Sequence, residues 1–305
     1  MKKIMIDAYN EDMPIRRKIN IPEHVNFGLE IENNGLSNIK AINDAERVIY
    51  NLSPELQVKD DRSLSIINMS KTVEQGFEVV TPVMHAKKDD IELLKKLSST
   101  LKHIGPKYNL SSFQINFDDN LTDEERLYLL KLYTYYEPVI ARFCRGKDQY
   151  LRSGVNIYAG AIYYKILNSI KLFDHPKEIV DAFTNNKMLA INFKNRPIRL
   201  IEFRLPNGTN EYTLWFNYIN AFYNLLKAAK EKRIPEKDLD ALLMKMKEHY
   251  NTNYQYQYKQ FPVKEDLASD FAYTIFNDKE DGIYFLQQYL GEEKELKKHY
   301  KGWII

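Results

Sequence analysis

The sequence predicts an α+β protein with a largely antiparallel sheet, helices packed on one face of it, and a helical C-terminal region. Short segments alternate apolar and polar residues, as half-buried strands do. Longer segments between them place apolar residues at helical spacing. Beyond residue 230 only helical segments rich in lysine and glutamate remain. We therefore expect a main domain over residues 1–229 and a helical region over residues 230–305 packed on it.

The individual strands follow from runs of alternating residues bounded by turn-forming residues. The polar first twenty-odd residues are expected to form an extended lead into the first strand. Pro206-Asn207-Gly208 predicts a turn after the last strand. Strands are predicted over residues 26–32, 76–80, 110–117, 188–193 and 199–205.

The helices follow from apolar periodicity together with start and stop signals. Gly105-Pro106 ends one helical pattern. Thr122 with Glu125 three residues later has the capping-box arrangement that opens a long helix. Another long amphipathic helix is marked by Trp215 and Leu226. Further helices are predicted over residues 42–52, 89–104, 235–249, 266–276 and 282–290.

Composition narrows the possible functions. The formal net charge of +2 provides no strong attraction to nucleic acid or to an anionic membrane. Cys144 is the single cysteine, so an intramolecular disulfide cannot form. The N-terminus lacks the apolar run of a signal peptide, and no apolar run is long enough for a transmembrane helix. We expect a cytoplasmic protein that binds neither nucleic acid nor membrane.

Four of the strand-like stretches carry polar or reactive side chains in otherwise apolar sequence. Residues two apart on a strand share one face, so these side chains are expected on the same face of the sheet. Clustered carboxylates repel one another unless something positive lies among them, and divalent cations are the natural partner. This pattern points to an enzyme. The residues are Glu30, Glu32, Glu78, Gln114, Asn116, Glu202 and Arg204.

These motifs, in this order, resemble the amidoligase family, relatives of glutamine synthetase and γ-glutamylcysteine ligase. The family pattern has a Gly-x-Glu-x-Glu strand, an Asp-Gly-Ser-Leu turn, a Gly-x-Glu-x-x-x-Pro strand, a His-Val-His strand, a Leu-Asn segment, and a Glu-Phe-Arg strand followed by Gly-Thr. The resemblance covers roughly residues 26–226. The matching residues are Gly28, Glu30, Glu32, Asp61, Ser63, Leu64, Gly76, Glu78, Pro82, Asn192, Glu202, Phe203, Arg204, Gly208 and Thr209.

The chain departs from the family pattern at two places. Gln114 and Asn116 stand where the family has paired histidines, and Arg62 replaces the turn glycine. The first change removes imidazole ligands but keeps oxygen ligands, which magnesium prefers. The departures leave open a rewired or catalytically weak member, because a fold does not guarantee a chemistry.

The resemblance implies a glutamine synthetase-like sheet and an ATP- and magnesium-dependent carboxylate–amine ligase that forms an acyl phosphate. It implies small-molecule or peptide carboxylate and amine substrates. The expected metal ligands, which are also catalytic, are Glu30, Glu32, Glu78 and Glu202. Arg204 is expected to stabilise the transferring phosphoryl group. The remaining expectations are nucleotide contacts from Arg204, Arg145 and Asn192, and substrate contacts from Asp61, Ser63, Gln114 and Asn116.

Other interpretations of the same residues stay open. Glu30 and Glu32 are also consistent with the solvent-exposed face of an antiparallel strand without a function. Glu202 and Arg204 are also consistent with a cross-strand ion pair that has only a structural role. The first alternative function is an altered amidoligase scaffold that serves as a binding protein, with the C-terminal helices meeting a protein partner. The second is metal-dependent phosphodiester hydrolysis, against which the near-neutral charge argues.

Overall fold

A computed structural model describes residues 3–10, 16, 18–36, 39–61, 64, 66–67, 73–104, 111–146, 148, 151–152, 155–195, 197–249 and 264–291. The strands are β1 Phe27–Leu36, β2 Gln57–Asp60, β3 Ile66–Ile67, β4 Val73–Val80, β5 Phe113–Asp118, β6 Ile191–Lys194 and β7 Leu200–Phe203. The helices are α1 Lys3–Asn10, α2 Ile39–Tyr50, α3 Lys88–Ile104, α4 Asp123–Cys144, α5 Val155–Tyr158, α6 Tyr163–Asn168, α7 Pro176–Asp181, α8 Tyr212–Lys230, α9 Glu236–His249, α10 Glu265–Ile275 and α11 Lys279–Leu290.

The protein is mixed α+β, as predicted, and its sheet is antiparallel. Six strands lie in the order β2-β4-β1-β5-β7-β6, and the short β3 pairs with β4. Every strand pairing of the described sheet is antiparallel. Strands distant in sequence are therefore neighbours in space, which places β1 at the middle, between β4 and β5.

The apolar face of the sheet packs against helices. Phe113 on β5 stacks on Trp215 of α8, with ring centroids 5.8 Å apart. Phe203 on β7 stacks on Phe222 of the same helix at 4.3 Å. These aromatic side chains are almost fully buried and contribute much of the apolar area that drives folding. The long amphipathic helix predicted near Trp215 is confirmed, and its burial against the sheet leaves the polar side chains on the opposite face.

The capping box predicted at Thr122 is confirmed. The Thr122 side chain accepts a hydrogen bond from the Glu125 backbone, and the Glu125 side chain accepts one from the Thr122 backbone. The helix that it opens, α4, is buried along most of its length and packs against α8 to α11. Among the described helices, none has both the length and the apolar character needed to cross a membrane.

The expectation of an extended N-terminal lead is wrong, because residues 3–10 form helix α1. Its buried residues Ile4, Met5 and Ala8 recur at helical spacing and pack against α10 and α11. Lys279 at the start of α11 forms an ion pair with Asp7 at 2.8 Å. The helix is short and polar enough to look unstructured in sequence, and contact with distant helices stabilises it.

Candidate functional site

Strand register brings the predicted site residues together on one face of the sheet. Glu30 on β1 lies opposite Gln114 on β5, and Glu32 lies opposite Glu78 on β4. Glu202 on β7 lies opposite Asn116 on one side and opposite Asn192 of β6 on the other. These pairs share the face that points away from α8. We call this group of side chains, together with Lys59, Lys194 and Arg204, the polar face.

Glu202 is the most deeply buried carboxylate of the polar face. Its exposed fraction is 0%, so its charge must be compensated within the protein. Asn192 donates to its Oε2 at 2.7 Å, and Arg204 Nη1 lies 3.0 Å from the same oxygen. Glu202 therefore holds the side chains around it in place, and its carboxylate is not accessible to solvent.

Lys194 brings a positive charge between two of the predicted carboxylates. Its Nζ lies 2.5 Å from Oε1 of Glu202 and 3.0 Å from Oε1 of Glu30, and it donates to Asn116 Oδ1 at 3.2 Å. Burial opposes the charge of Lys194, but Glu30 and Glu202 raise its pKa above the ordinary value. An ammonium group thus occupies the position among these oxygens that the sequence led us to assign to a cation.

Glu30 and Glu78 form a carboxyl pair that shares a proton. Burial and the neighbouring charge of Glu30 raise the pKa of Glu78 to about 8, although Lys59 opposite it acts in the other direction. Burial opposes ionisation of Glu30 as well, but Lys194 lowers its pKa. At neutral pH, Glu78 therefore holds the proton and donates to the Glu30 carboxylate.

Glu32 is held by donors from β5 and the residue before it. Its Oε2 accepts the backbone N–H of Ser112 at 2.7 Å, and its Oε1 accepts Nε2 of Gln114 at 2.9 Å. Asn116 donates in the same way to Glu30 at 2.9 Å. Gln114 and Asn116 therefore donate their amide groups to the glutamates of β1.

Arg204 connects the two halves of the polar face. Its Nη1 donates to Gln114 Oε1 at 2.6 Å in addition to its contact with Glu202, and its Nε donates to the Tyr158 carbonyl at 3.2 Å. Within the described chain, no hydrogen bond or ion pair engages its Nη2. The guanidinium is therefore rigidly held by one edge, and one nitrogen stays available for an anion.

The turn after β2 packs directly over β4. Gly76 is required there, since a Cβ at this position would lie 2.1 Å from Cβ of Leu64 and 3.0 Å from the carbonyl oxygen of Asp61. Gly76 shares a strand face with Glu78, so the turn lies beside that carboxyl group. The carbonyl oxygen of Asp61 thus lies beside the polar face. Ser63 lies outside the described residues.

The predicted nucleotide contact Arg145 is the C-cap residue of α4, and its Nη2 would lie 3.9 Å from a Cβ placed on Gly291 at the end of α11. The nearby Arg152 is buried and donates to the carbonyl oxygens of Arg204, Leu205 and Pro206. Arg152 thus shapes the segment that follows Glu202 and Arg204.

The predicted metal ligands do not form a closed metal cage. Across the described ranges, no group of three or more histidine, cysteine, aspartate or glutamate side chains is arranged to hold a metal ion. Glu202 is engaged by Lys194, Asn192 and Arg204, whose contacts use both of its oxygens. Glu30 and Glu78 are the carboxyl pair whose shared proton a cation would displace.

The sequence interpretation missed Lys194 and Lys59. Lys194 lies two residues after Asn192, so strand alternation places both on one face once β6 is known to end at Lys194. Lys59 belongs to a segment for which no strand was predicted, whereas it lies on β2 opposite Glu78. The two-residue period of a strand could therefore have identified Lys194 from the sequence. Lys59 could not be identified in this way, because its position depends on the pairing of β2 with β4, which the sequence does not reveal.

Comparisons with known proteins leave the family undetermined. No protein-family model matches this chain, and no curated protein matches it.

Proposed function

We propose that the protein is an ATP-dependent carboxylate–amine ligase, as the motif order suggests. The observation that carries the proposal is the convergence of Glu30, Glu78 and Arg204 with Glu32 and Glu202 on one face of one antiparallel sheet. Carboxylates from three separate strands, β1, β4 and β7, would have no reason to meet on a solvated surface. A pocket that binds phosphates and polarises a carboxyl group needs both signs of charge in fixed positions.

The proposed chemistry proceeds in two balanced steps. A substrate carboxylate oxygen attacks the γ-phosphorus of ATP, and ADP leaves with an acyl phosphate remaining. A neutral amine nitrogen then attacks the acyl carbon, inorganic phosphate leaves, and the departing phosphate takes one proton from the nitrogen. Arg204 Nη2 is proposed to meet the phosphoryl oxygens.

Magnesium fits one part of the polar face only. Nucleotide-bound magnesium commonly uses one or two protein carboxylates and takes its other ligands from phosphates and water. Glu30 and Glu78 meet that requirement, because a cation between them would replace the proton that they share. Magnesium would supply charge neutralisation for the phosphates. The proposal assigns Glu202 to positioning Lys194 and Arg204 rather than to the metal.

A second candidate function is a binding scaffold without catalysis, and the position of Lys194 favours it. An ammonium among Glu30, Asn116 and Glu202 already balances charge that a metal ion would otherwise balance. Such a protein would bind an anionic or amine ligand on the polar face without turning over ATP. The two candidates differ in ADP release, which makes that product the decisive measurement.

The test is ADP release by purified protein supplied with ATP, magnesium, pooled amino acids and polyamines. The ligase proposal expects ADP release that requires both an amine and a carboxylate and is lost in Glu30→Gln. Glu46→Gln, an exposed residue of α2, is the matched control and should keep full activity. ATP binding without ADP release would support the scaffold, and release that survives Glu30→Gln would contradict the assignment of the site.

A further inference from the structure

A cavity of about 190 Å³ lies at one end of the polar face, beside Glu30 and Asn116. Its floor is Gly28, which shares a strand face with Glu30. A Cβ added at Gly28 would have no heavy atom within 4 Å, so the absent side chain leaves open space. The cavity is smaller than the pockets of about 300–1,000 Å³ that hold drug-sized ligands, and it therefore suits a short chain.

The walls of this cavity, which we call the Gly28 cavity, are mostly apolar. At this end of the sheet the polar face carries Val80 and Leu200 in place of charged residues. The rim exposes Val83 and Ile198, which are 62% and 60% accessible. Large exposed apolar side chains that gather around one opening commonly mark a binding site. These walls favour an aliphatic part of a ligand.

The charged residues that line the Gly28 cavity determine which sign of charge a ligand can carry there. Glu30 lies at its inner end and Asp118 at its rim, where Asp118 Oδ2 accepts a hydrogen bond from Asn26 at 2.7 Å. None of the described residues that line it is a lysine, arginine or histidine. Lys194 lies outside this lining and already pairs with Glu30, so an anion such as a phosphate or a carboxylate would meet the Asp118 carboxylate without a cation beside it. A cationic head group on an aliphatic chain meets favourable partners.

We infer that the Gly28 cavity binds a primary aliphatic amine, with its chain against Val80 and Leu200 and its ammonium group facing the Asp118 carboxylate. The inference rests on the proposed function, because it identifies the amine substrate of the ligase as an alkylamine or the side chain of a lysine-like compound.

The test uses 1-aminopentane as the probe and pentanoate as its counterpart of similar shape and opposite charge. Binding to the full chain without ATP is followed by ligand-observed NMR saturation transfer and titration. Wild type should bind 1-aminopentane saturably and at least about tenfold more tightly than pentanoate. Absence of saturable amine binding, or equal binding of the two probes, would overturn the inference.

Gly28→Val is the decisive variant. A Cβ at this position meets no heavy atom within 4 Å, and a strand favours valine over glycine, so the melting temperature should stay the same or rise. Affinity for 1-aminopentane should fall by roughly tenfold or more. Asp118→Asn tests the charge without changing the shape, and exposed Asp174→Asn is its control. Unchanged amine binding in both Gly28→Val and Asp118→Asn would show that the amine lies elsewhere.

The proposed ligase function and the proposed amine site can be disproved independently of each other. Binding is measured without nucleotide, so a protein that never releases ADP can still show the amine site. If ADP release is found, Gly28→Val should raise the KM for the amine and leave the KM for ATP unchanged. If the protein releases ADP but its KM for the amine is unchanged in Gly28→Val, the proposed ligase function stands and the Gly28 cavity is not the amine site.

Discussion

Lys194 Nζ lies 2.5 Å from Oε1 of Glu202, a carboxylate whose exposed fraction is 0%. The two residues belong to adjacent antiparallel strands, and the same ammonium also contacts Glu30 on β1 across the intervening strands β7 and β5. A buried carboxylate without a counter-charge would protonate or destabilise the fold. Lys194 therefore provides a fixed positive charge at the centre of the polar face.

Lys194→Met should destabilise the protein strongly at neutral pH. The change leaves Glu202 buried beside Glu30 without the ammonium, and breaking such a pair costs about 3 kcal/mol or more of unfolding free energy. Urea denaturation measures the loss. Lys177→Met, in an exposed pair with Asp181 on α7, is the control and should leave the midpoint unchanged. Adding Glu202→Gln to Lys194→Met should recover stability, and an additive double mutant would contradict the pairing.

Glu78 should make the protein less stable as pH rises. Its pKa in the folded protein is about 8 against an ordinary value of 4.5, so the folded state binds more protons than the unfolded state between these values. The unfolding free energy then falls as pH increases through that window and levels off above it. Glu78→Gln should flatten the decline, whereas Glu46→Gln should not. Denaturation curves at several pH values, with a chelator present, check the slope; a slope of opposite sign in the wild type would contradict it.

Magnesium should stabilise the wild type more at high pH than at low pH. The proton shared by Glu30 and Glu78 competes with the cation, and above pH 8 that proton is largely gone. Thermal unfolding with and without magnesium measures the effect, because a ligand that binds only the folded state raises the melting temperature. The shift should disappear in Glu78→Gln and persist in Lys59→Met. A shift of equal size in Glu78→Gln would place the ion elsewhere.

Arg204→Lys should abolish most ADP release even though the charge is kept. A lysine ammonium cannot contact Gln114, Glu202 and the Tyr158 carbonyl in the planar arrangement of the guanidinium. Loss of one fixed group that stabilises transition-state charge typically reduces kcat by about a hundredfold. Steady-state ADP release checks this against Arg47→Lys, an exposed arginine of α2. Full activity in Arg204→Lys would remove this residue from the proposed chemistry.

Local sequence patterns predicted much of the sheet and of the helices around it. Alternation placed Glu30 with Glu32, and Gln114 with Asn116, on single strand faces, and the structure has these residues on β1 and β5. The capping box at Thr122 identified the start of α4 to the residue. These features depend on neighbours within a few positions, so no knowledge of distant contacts was needed.

Features that depend on distant partners were not predictable in the same way. Helix α1 forms because Ile4 and Met5 find an apolar surface on α10 and α11, which follow more than 250 positions later. Lys59 reaches Glu78 only through the pairing of β2 with β4. The Gly28 cavity exists because Val80 and Leu200, from two other strands, stand around a missing side chain.

By itself the sequence determined which side chains share a strand face, because the period of a strand is a local property of the backbone. It thereby determined that carboxylates, amides and an arginine would lie on the face opposite the apolar residues. Only the tertiary structure decided their partners. The register of β4, β1, β5, β7 and β6 placed Lys194 between Glu30 and Glu202 and left Glu78 to share a proton, because electrostatic interactions depend on distances that strand pairing sets.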